Sequence, residues 1–319
     1  MPSNQSPLGA LPARFRRARL LIVGCGDVGL RVLRERSGAA RAPRPLALTS
    51  SPERVAALRA AGALPLVGDL DQPATLARLA GLAHQVLYLA PPPSGATAAP
   101  WLDPRSMALA HALRRRTLPQ VLVYASTSGV YGDCQGAWMD ETRPVRPATA
   151  RAQRRVNAER VWRHLGRAGV RVSILRVPGI YAHDRVGGTP RERLLRGAPV
   201  LRPEEDVQTN HIQADDLARA CIAALWRGQP QRTYHISDVS DLAMGDYYDL
   251  AADLYGLPRP PRVTRAEAAA QLSPMQLSFM GESRRLRNAR LTRELRLRLR
   301  YPTVREGLGV GLPATGQRG

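Results

Sequence analysis

The chain has 319 residues and a formal net charge of +21, and all 47 of its basic residues are arginines. The complete replacement of lysine indicates a coding bias rather than selection for positive charge. Because the arginines are scattered and aromatic residues make up only 5% of the chain, few platforms for base stacking exist, and nucleic-acid binding is the least favoured interpretation.

The apolar residues and the cysteines restrict the class of protein further. No apolar stretch reaches the roughly 18 residues of a membrane span, and no apolar signal core precedes Leu20. We therefore expect neither membrane insertion nor export. Cys25, Cys134 and Cys221 lie far apart and in no metal-binding spacing. This pattern is typical of reduced, cytoplasmic thiols and predicts no metal site.

Apolar runs and amphipathic stretches alternate through the first two thirds of the chain. The runs are Leu20–Val23, Leu46–Thr49, Leu64–Val67, Val86–Ala90, Val121–Ala125, Val170–Val177 and Tyr234–Ser237. Their alternation predicts an α/β fold, a doubly wound parallel (Rossmann) sheet. We assign residues 19–178 and 209–240 to this dinucleotide-binding domain. Residues 179–208 and 241–313 are assigned to a smaller, mainly helical substrate lobe, and 1–18 and 314–319 to tails.

The segment GCGDVG, residues 24–29, follows the first apolar run directly and opens a helical pattern. In such a turn Gly24 allows the tight bend, Gly26 lets the backbone approach a pyrophosphate, and Gly29 lets the helix pack on the strand. Asp27 and Val28 lie at the start of that helix, where the positive end of the dipole favours phosphate. The segment therefore predicts a dinucleotide-binding turn.

Loops at the carboxyl ends of parallel strands converge at one edge of a sheet, so further cofactor contacts are predicted there. They are Thr49, Ser50 and Arg54 after the second strand, and Ala90 and Pro91 after the fourth. An NAD site usually carries an acidic residue about 20 positions beyond the glycines, where this chain has hydroxyls and an arginine. Such groups suit a 2′-phosphate, which favours NADP while leaving NAD open.

Five segments in consistent order resemble the extended short-chain dehydrogenase/reductases, also called the NAD-dependent epimerase/dehydratase family. These segments are GCGDVG, Gly68–Asp69–Leu70, VLVYASTSGVYGD, LRVPGIYA and NHIQADDLA. The resemblance implies that Asp69 and Leu70 flank the adenine, and it places Pro178, within LRVPGIYA, at the cofactor site. The C-terminal part resembles an atypical bacterial branch whose members are named only as NAD(P)-dependent oxidoreductases or epimerases.

The chain departs from this family at its catalytic residues. The resemblance places Thr127 at the Ser/Thr position, but it places Arg151 and Arg155 where a tyrosine and a lysine form the YxxxK pair. A guanidinium cannot exchange a proton at neutral pH, although it can bind a carboxylate or phosphate in a two-pronged contact. The two arginines are thus either an anion site or a solvated basic face. Tyr131 or Tyr181 could replace the missing tyrosine; otherwise both are core residues with a polar tip.

These features predict an oxidoreductase or epimerase that binds NADP and an anionic, carbonyl-type small molecule. In this scheme Thr127 polarises the carbonyl or, alternatively, caps backbone groups. A non-catalytic NADP-binding sensor is the alternative, because it would share every cofactor residue. The sequence leaves a homodimer open.

Overall fold

The computed structural model describes residues 19–37, 43–95 and 99–311, so both predicted tails, residues 1–18 and 314–319, lie outside the described residues. The helices are α1 (Asp27–Arg36), α2 (Val55–Ala60), α3 (Pro104–Arg114), α4 (Ala150–Gly166), α5 (Arg191–Leu195), α6 (Ala214–Arg227), α7 (Met244–Tyr255), α8 (Arg265–Gln271), α9 (Pro274–Phe279), α10 (Ala289–Arg293) and α11 (Val304–Leu308). The main strands are β1 (Leu20–Val23), β2 (Leu46–Thr49), β3 (Leu64–Val67), β4 (Gln85–Tyr88), β5 (Val121–Thr127), β7 (Arg171–Val177) and β12 (Arg232–His235). Shorter strands are β6 (Trp138–Met139), β8 (Gly179–Tyr181), β9 (Val200–Leu201), β10 (Gln208–Thr209), β11 (His211–Gln213), β13 (Leu242–Ala243), β14 (Arg262–Val263) and β15 (Arg285–Leu286).

The central sheet has seven parallel strands in the order β12-β7-β5-β4-β1-β2-β3. This confirms the predicted doubly wound sheet, and each predicted apolar run contributes one strand. The strand order reverses between β1 and β4. In such sheets the ligand crevice lies outside the carboxyl ends of the strands at this point.

Both faces of the sheet are covered, which explains why its inner strands are continuous apolar runs. Along β1, Leu20 and Ile22 pack into one core, whereas Leu21 and Val23 pack into the other. The first core includes side chains of α1 and α6, and the second includes side chains of α3 and α4. Trp162 of α4 is fully buried in the second core. The cores fix the positions of the loops that border the crevice.

Segments after β5 and β7 build a smaller layer beside the carboxyl edge of the sheet. The strand pairs β8–β11, β9–β14, β10–β13 and β6–β15 lie in this layer. Its own core contains Tyr181, Val200, Tyr248, Ala251 and Leu308. The β6–β15 pair joins the loop after β5 to the C-terminal segment. Among the described helices, none is both long and apolar enough to cross a membrane.

Candidate cofactor and substrate site

The glycine turn has the local geometry that the sequence predicts. Gly24 has a φ of +80°, and a Cβ there would lie 2.4 Å from the Ala90 nitrogen. A Cβ on Gly29 would lie 2.9 Å from Cys25 Sγ, so this glycine permits close packing of α1 on β1. Among the described residues, none has a heavy atom within 4 Å of a Cβ built on Gly26. This part of the chain therefore leaves space at the N-terminus of α1, where a phosphate would bind.

A cavity of about 200 Å³ lies beside this turn, at the carboxyl ends of β1, β2, β3 and β4. Eight of the predicted cofactor residues line it: Gly24, Thr49, Ser50, Arg54, Asp69, Leu70, Ala90 and Pro91. Gly26 lies in the adjoining turn, and Asp27, Val28 and Gly29 form the first residues of α1. Pro178 follows β7 and is not among the lining residues. The structure thus brings together most of the residues that the sequence predicted for one site.

Arg54 forms the wall between the end of β2 and the glycine turn. Its Nη2 donates to the Cys25 carbonyl at 2.8 Å. The Thr49 hydroxyl accepts from the Ser51 amide at 3.2 Å, which holds the loop that carries Ser50. Burial raises the pKa of the Cys25 thiol to about 11, so this thiol is neutral. The charge at this end of the cavity comes from the Arg54 guanidinium.

Arg105, which the sequence did not indicate, lines the opposite wall. Its guanidinium binds Asp71 with two hydrogen bonds, Nε to Oδ1 at 2.8 Å and Nη2 to Oδ2 at 2.6 Å. Its Nη1 also donates to the Pro91 carbonyl at 3.0 Å. The hydrogen bond to Arg105 lowers the pKa of Asp71 below its usual range. Arg105 thus joins the loops after β3 and β4, which are far apart in sequence.

The Asp27 carboxylate is paired with cations rather than facing the cavity. Its Oδ1 accepts from Arg31 Nε at 3.1 Å, and its Oδ2 accepts from Arg185 at 3.1 Å. Arg31 is itself buried and also binds Asp184 and Asp215. These ion pairs neutralise an acidic side chain at the point where the turn would receive a phosphate. The Asp27 backbone amide, rather than its side chain, remains the group suited to the cofactor.

At the other end of the crevice, Thr127 ends β5. Its hydroxyl oxygen accepts from the Gly129 amide at 3.2 Å and so caps the 3₁₀ turn Ser128–Tyr131. This is the backbone-capping role that the sequence left open. A hydroxyl has one proton and two lone pairs, so the Thr127 proton can still be donated to another oxygen.

Arg151 and Arg155 lie on α4 in different surroundings. Arg155 Nη1 donates to the Ala125 carbonyl at 2.7 Å and to the Tyr124 hydroxyl at 3.1 Å. Arg151 is exposed, and its guanidinium lies 5.0 Å from the centre of the Phe279 ring. Arg155 is therefore anchored to the sheet, while Arg151 is the more accessible cation of the two.

Tyr131 lies in the core, only 1% exposed. His235 Nδ1 lies 3.0 Å from the Arg287 carbonyl, which can only accept, so Nδ1 carries the proton. Burial lowers the pKa of His235 to about 3, so Nε2 is an acceptor and the Tyr131 hydroxyl donates to it at 2.6 Å. Arg176 donates to the same hydroxyl at 2.7 Å.

These contacts favour the structural interpretation of Tyr131 over a catalytic one. Burial raises the pKa of Tyr131 to about 12, and its proton is already committed to His235. Tyr181 is also buried and donates to the Thr303 carbonyl at 3.3 Å. Neither phenol supports the expectation that it replaces the missing tyrosine.

A buried ion pair lies behind the end of β5. Arg176 binds Glu159 with two hydrogen bonds, at 3.1 and 2.7 Å, and both side chains are 5% exposed. The Ser126 hydroxyl donates to the same carboxylate at 2.7 Å. Within the described chain, these polar groups satisfy one another and connect α4, β5 and β7.

Comparisons with known proteins agree with this architecture. The family model for the NAD-dependent epimerase/dehydratase family matches residues 105–237. A functionally unknown conserved protein from Silicibacter pomeroyi DSS has a similar structure, with 32% identity, a TM-score of 0.72, and coverage of 91% of this chain and 96% of the other. A search of curated proteins found no match.

Two more distant structures are similar in fold. UDP-glucose 4-epimerase with UDP-glucose from Thermotoga maritima has 16% identity and a TM-score of 0.72, with coverage of 91% of this chain and 96% of that protein. MoeE5 in complex with UDP-glucose and NAD has 21% identity and a TM-score of 0.69, with the same coverage. The match to the family model identifies residues 105–237 as a domain of the NAD-dependent epimerase/dehydratase family, and the two distant structures share its overall fold.

Proposed function

We propose that this protein binds NADP in the cavity beside the glycine turn and acts as an oxidoreductase or epimerase on an anionic small molecule. The observation that carries the cofactor choice is Arg54, which lines the cavity together with Thr49, Ser50 and Ser51 at the end of β2. A guanidinium with neighbouring hydroxyls binds a 2′-phosphate through charge-assisted hydrogen bonds. A carboxylate at this place would instead favour the 2′-hydroxyl of NAD.

The residues of the turn fit a pyridine dinucleotide. The open space at Gly26 admits a pyrophosphate, and the amides of Asp27 and Val28 at the start of α1 would bind it. Asp69 and Leu70 would border the adenine. When bound, the nicotinamide would supply the chemistry of reversible hydride transfer with a substrate.

The substrate end offers hydrogen-bond donors and cations. The Thr127 proton would be donated to a substrate oxygen, and Arg151 would bind an anionic group of the substrate. Arg155, whose guanidinium donates to the Ala125 carbonyl, would help to position the substrate and would not exchange protons with it. Proteins of similar fold hold UDP-glucose, whose pyrophosphate is anionic, so a nucleotide-linked sugar is one substrate of this chemical class.

One observation favours the sensor alternative. Tyr131 is engaged in the core, and Arg151 and Arg155 cannot serve as general acids or bases at neutral pH. A protein that binds NADP without turning over a substrate would keep the cofactor cavity and need no acid–base group. Binding of NADPH without reaction against any carbonyl or alcohol would support this alternative.

The cofactor assignment is tested by titrating NADPH and NADH into the wild type and Arg54→Ala. We expect the wild type to bind NADPH more tightly, and Arg54→Ala to narrow the difference by about 1–2 kcal/mol through loss of a charge-assisted contact. Arg59→Ala is the matched control, because Arg59 is an exposed arginine on nearby α2. Tighter binding of NADH by the wild type would contradict the assignment.

A further inference from the structure

A carboxylate from the C-terminal segment lies beside the end of β5. Glu282 comes from the loop between α9 and β15, and its side chain is 14% exposed. A methyl group built on Gly129 would lie 3.9 Å from Glu282 Oε2 and 3.6 Å from Thr127 Oγ1. Glu282 and Thr127 therefore border the same space above Gly129, although 155 positions separate them in the sequence.

The surrounding segment fixes the position of Glu282. Arg284 Nη1 donates to Glu282 Oε2 at 2.7 Å and to the Gly132 carbonyl at 2.9 Å. Between them, the Ser283 amide donates to Asp133 Oδ1 at 2.8 Å, and the Ser283 carbonyl accepts from the Cys134 amide at 2.9 Å. These bonds tie the segment to the loop that follows β5. The carboxylate is thus held against the loop that follows β5.

Glu282 has the acid–base capacity that the neighbouring groups lack. The guanidinium groups of Arg151 and Arg155 stay protonated, and Tyr131 already donates its proton to His235. A threonine hydroxyl is too weak an acid to serve alone, whereas a carboxylate gains and loses a proton readily. Because residue 129 is glycine, no side chain stands between the Thr127 hydroxyl and the Glu282 carboxylate at this point.

We propose that Glu282 is the acid–base residue of this protein and takes over the proton-transfer role of the tyrosine that is absent from the YxxxK pair. The inference rests on the proposed function, since it requires a pyridine nucleotide as oxidant. Oxidation of a secondary alcohol breaks its C–H and O–H bonds as the C=O bond forms. The hydride passes to the pyridine nucleotide, and the proton passes from the alcohol oxygen to the Glu282 carboxylate. In the reverse direction Glu282 returns the proton to that oxygen.

The proposal has a test that requires no substrate. Oxidised nicotinamide is positively charged and reduced nicotinamide is not, so a nearby carboxylate strengthens binding of NADP⁺ relative to NADPH. We expect Glu282→Gln to lower the ratio of NADP⁺ to NADPH affinity about threefold or more, with little change in NADPH affinity. Glu204→Gln is the control, because it removes the same charge from an exposed position in the same layer.

Turnover gives a second measurement, with NADP⁺ and UDP-glucose or UDP-glucuronic acid as probes. If the wild type catalyses a reaction of either probe, Glu282→Gln should catalyse it about 100-fold more slowly or worse, because the general base is lost. Normal binding of both nucleotides with an unchanged affinity ratio in Glu282→Gln would overturn this inference alone. Failure of the wild type to bind either nucleotide would overturn the proposed function, and the inference with it.

Discussion

The two ends of the crevice differ in what their polar side chains contact. At the cofactor end, Arg54 and the hydroxyls of Thr49 and Ser50 line an open cavity beside the glycine turn. At the substrate end, Tyr131, Arg176 and Glu159 are buried and hydrogen-bonded to one another or to His235 and Ser126. The Arg54 guanidinium and the exposed Ser50 hydroxyl can therefore meet a ligand, whereas the buried groups at the other end hold the fold together.

Residue type alone therefore does not identify a functional group. A tyrosine next to the family's catalytic threonine position is a natural candidate for proton transfer, yet Tyr131 stabilises the junction of β5, β7 and β12. The proposed acid–base group comes instead from the C-terminal segment, where the Glu282 carboxylate and the Thr127 hydroxyl both lie within 4 Å of a Cβ built on Gly129. The hydrogen-bond partners and the exposure of the two side chains distinguish Tyr131 from Glu282.

The largest expected effect comes from breaking the buried ion pair. Arg176→Met leaves the Glu159 carboxylate buried without its cation, and removal of one partner of such a pair typically costs about 3–5 kcal/mol of unfolding free energy. We expect a loss of this size in urea denaturation, with NADPH affinity of the folded protein nearly unchanged. The double variant Arg176→Met/Glu159→Gln should recover part of the loss, because no buried charge then remains unpaired. A stable single variant that has lost NADPH binding would reverse the assignment of this network as structural.

A smaller, pH-dependent effect is expected at His211, which is buried and stacked on Tyr247 at 4.1 Å between ring centres. Burial lowers the pKa of His211 from 6.5 to about 4, so the folded state favours the neutral ring. Its contribution to stability is complete above pH 6.5 and declines as the pH falls towards about 4.

The variant His211→Phe keeps a flat ring against Tyr247 and cannot be protonated. We expect its unfolding free energy at pH 7 to stay within about 1 kcal/mol of the wild type, because Nδ1 of His211 has no hydrogen-bond partner among the residues that the structure describes. Between pH 6.5 and 4, its stability should decline less steeply than that of the wild type. Parallel pH profiles in urea denaturation would show that His211 is not responsible for acid sensitivity in this range.

Most of the fold and of the cofactor cavity could be predicted from the sequence because their signals are local. The run Leu20–Val23, followed by Gly24, Gly26 and Gly29, specifies a strand, a turn and the start of a helix within a single short segment. The alternation of apolar runs with helical stretches then fixed the sheet class. Arg54 was predicted to lie in this cavity because it comes only five positions after the end of β2.

The substrate end could not be predicted in the same way because its contacts are distant in sequence. Glu282 approaches Thr127 only through the folding of the C-terminal segment, and Arg105 reaches Asp71 from the start of α3. The burial of Tyr131 likewise depends on His235 and Arg176, which no local pattern connects to it. Only the packed structure shows which of these groups face the crevice.

The assignment of the glycine turn to the cofactor is tested most directly by an NADPH titration of Gly26→Ala and Gly26→Val beside the wild type. Gly26 has a φ of −81° and a ψ of −148°, a combination that residues with a Cβ adopt less readily than glycine, and a Cβ there would contact none of the described residues within 4 Å. Urea denaturation therefore first establishes that both variants fold, and NADPH affinity is compared among the folded proteins. If this space receives the pyrophosphate, NADPH affinity should fall with side-chain size, by about 100-fold or more for valine. Unchanged affinity in the folded valine variant would contradict the assignment of the glycine turn as the cofactor site.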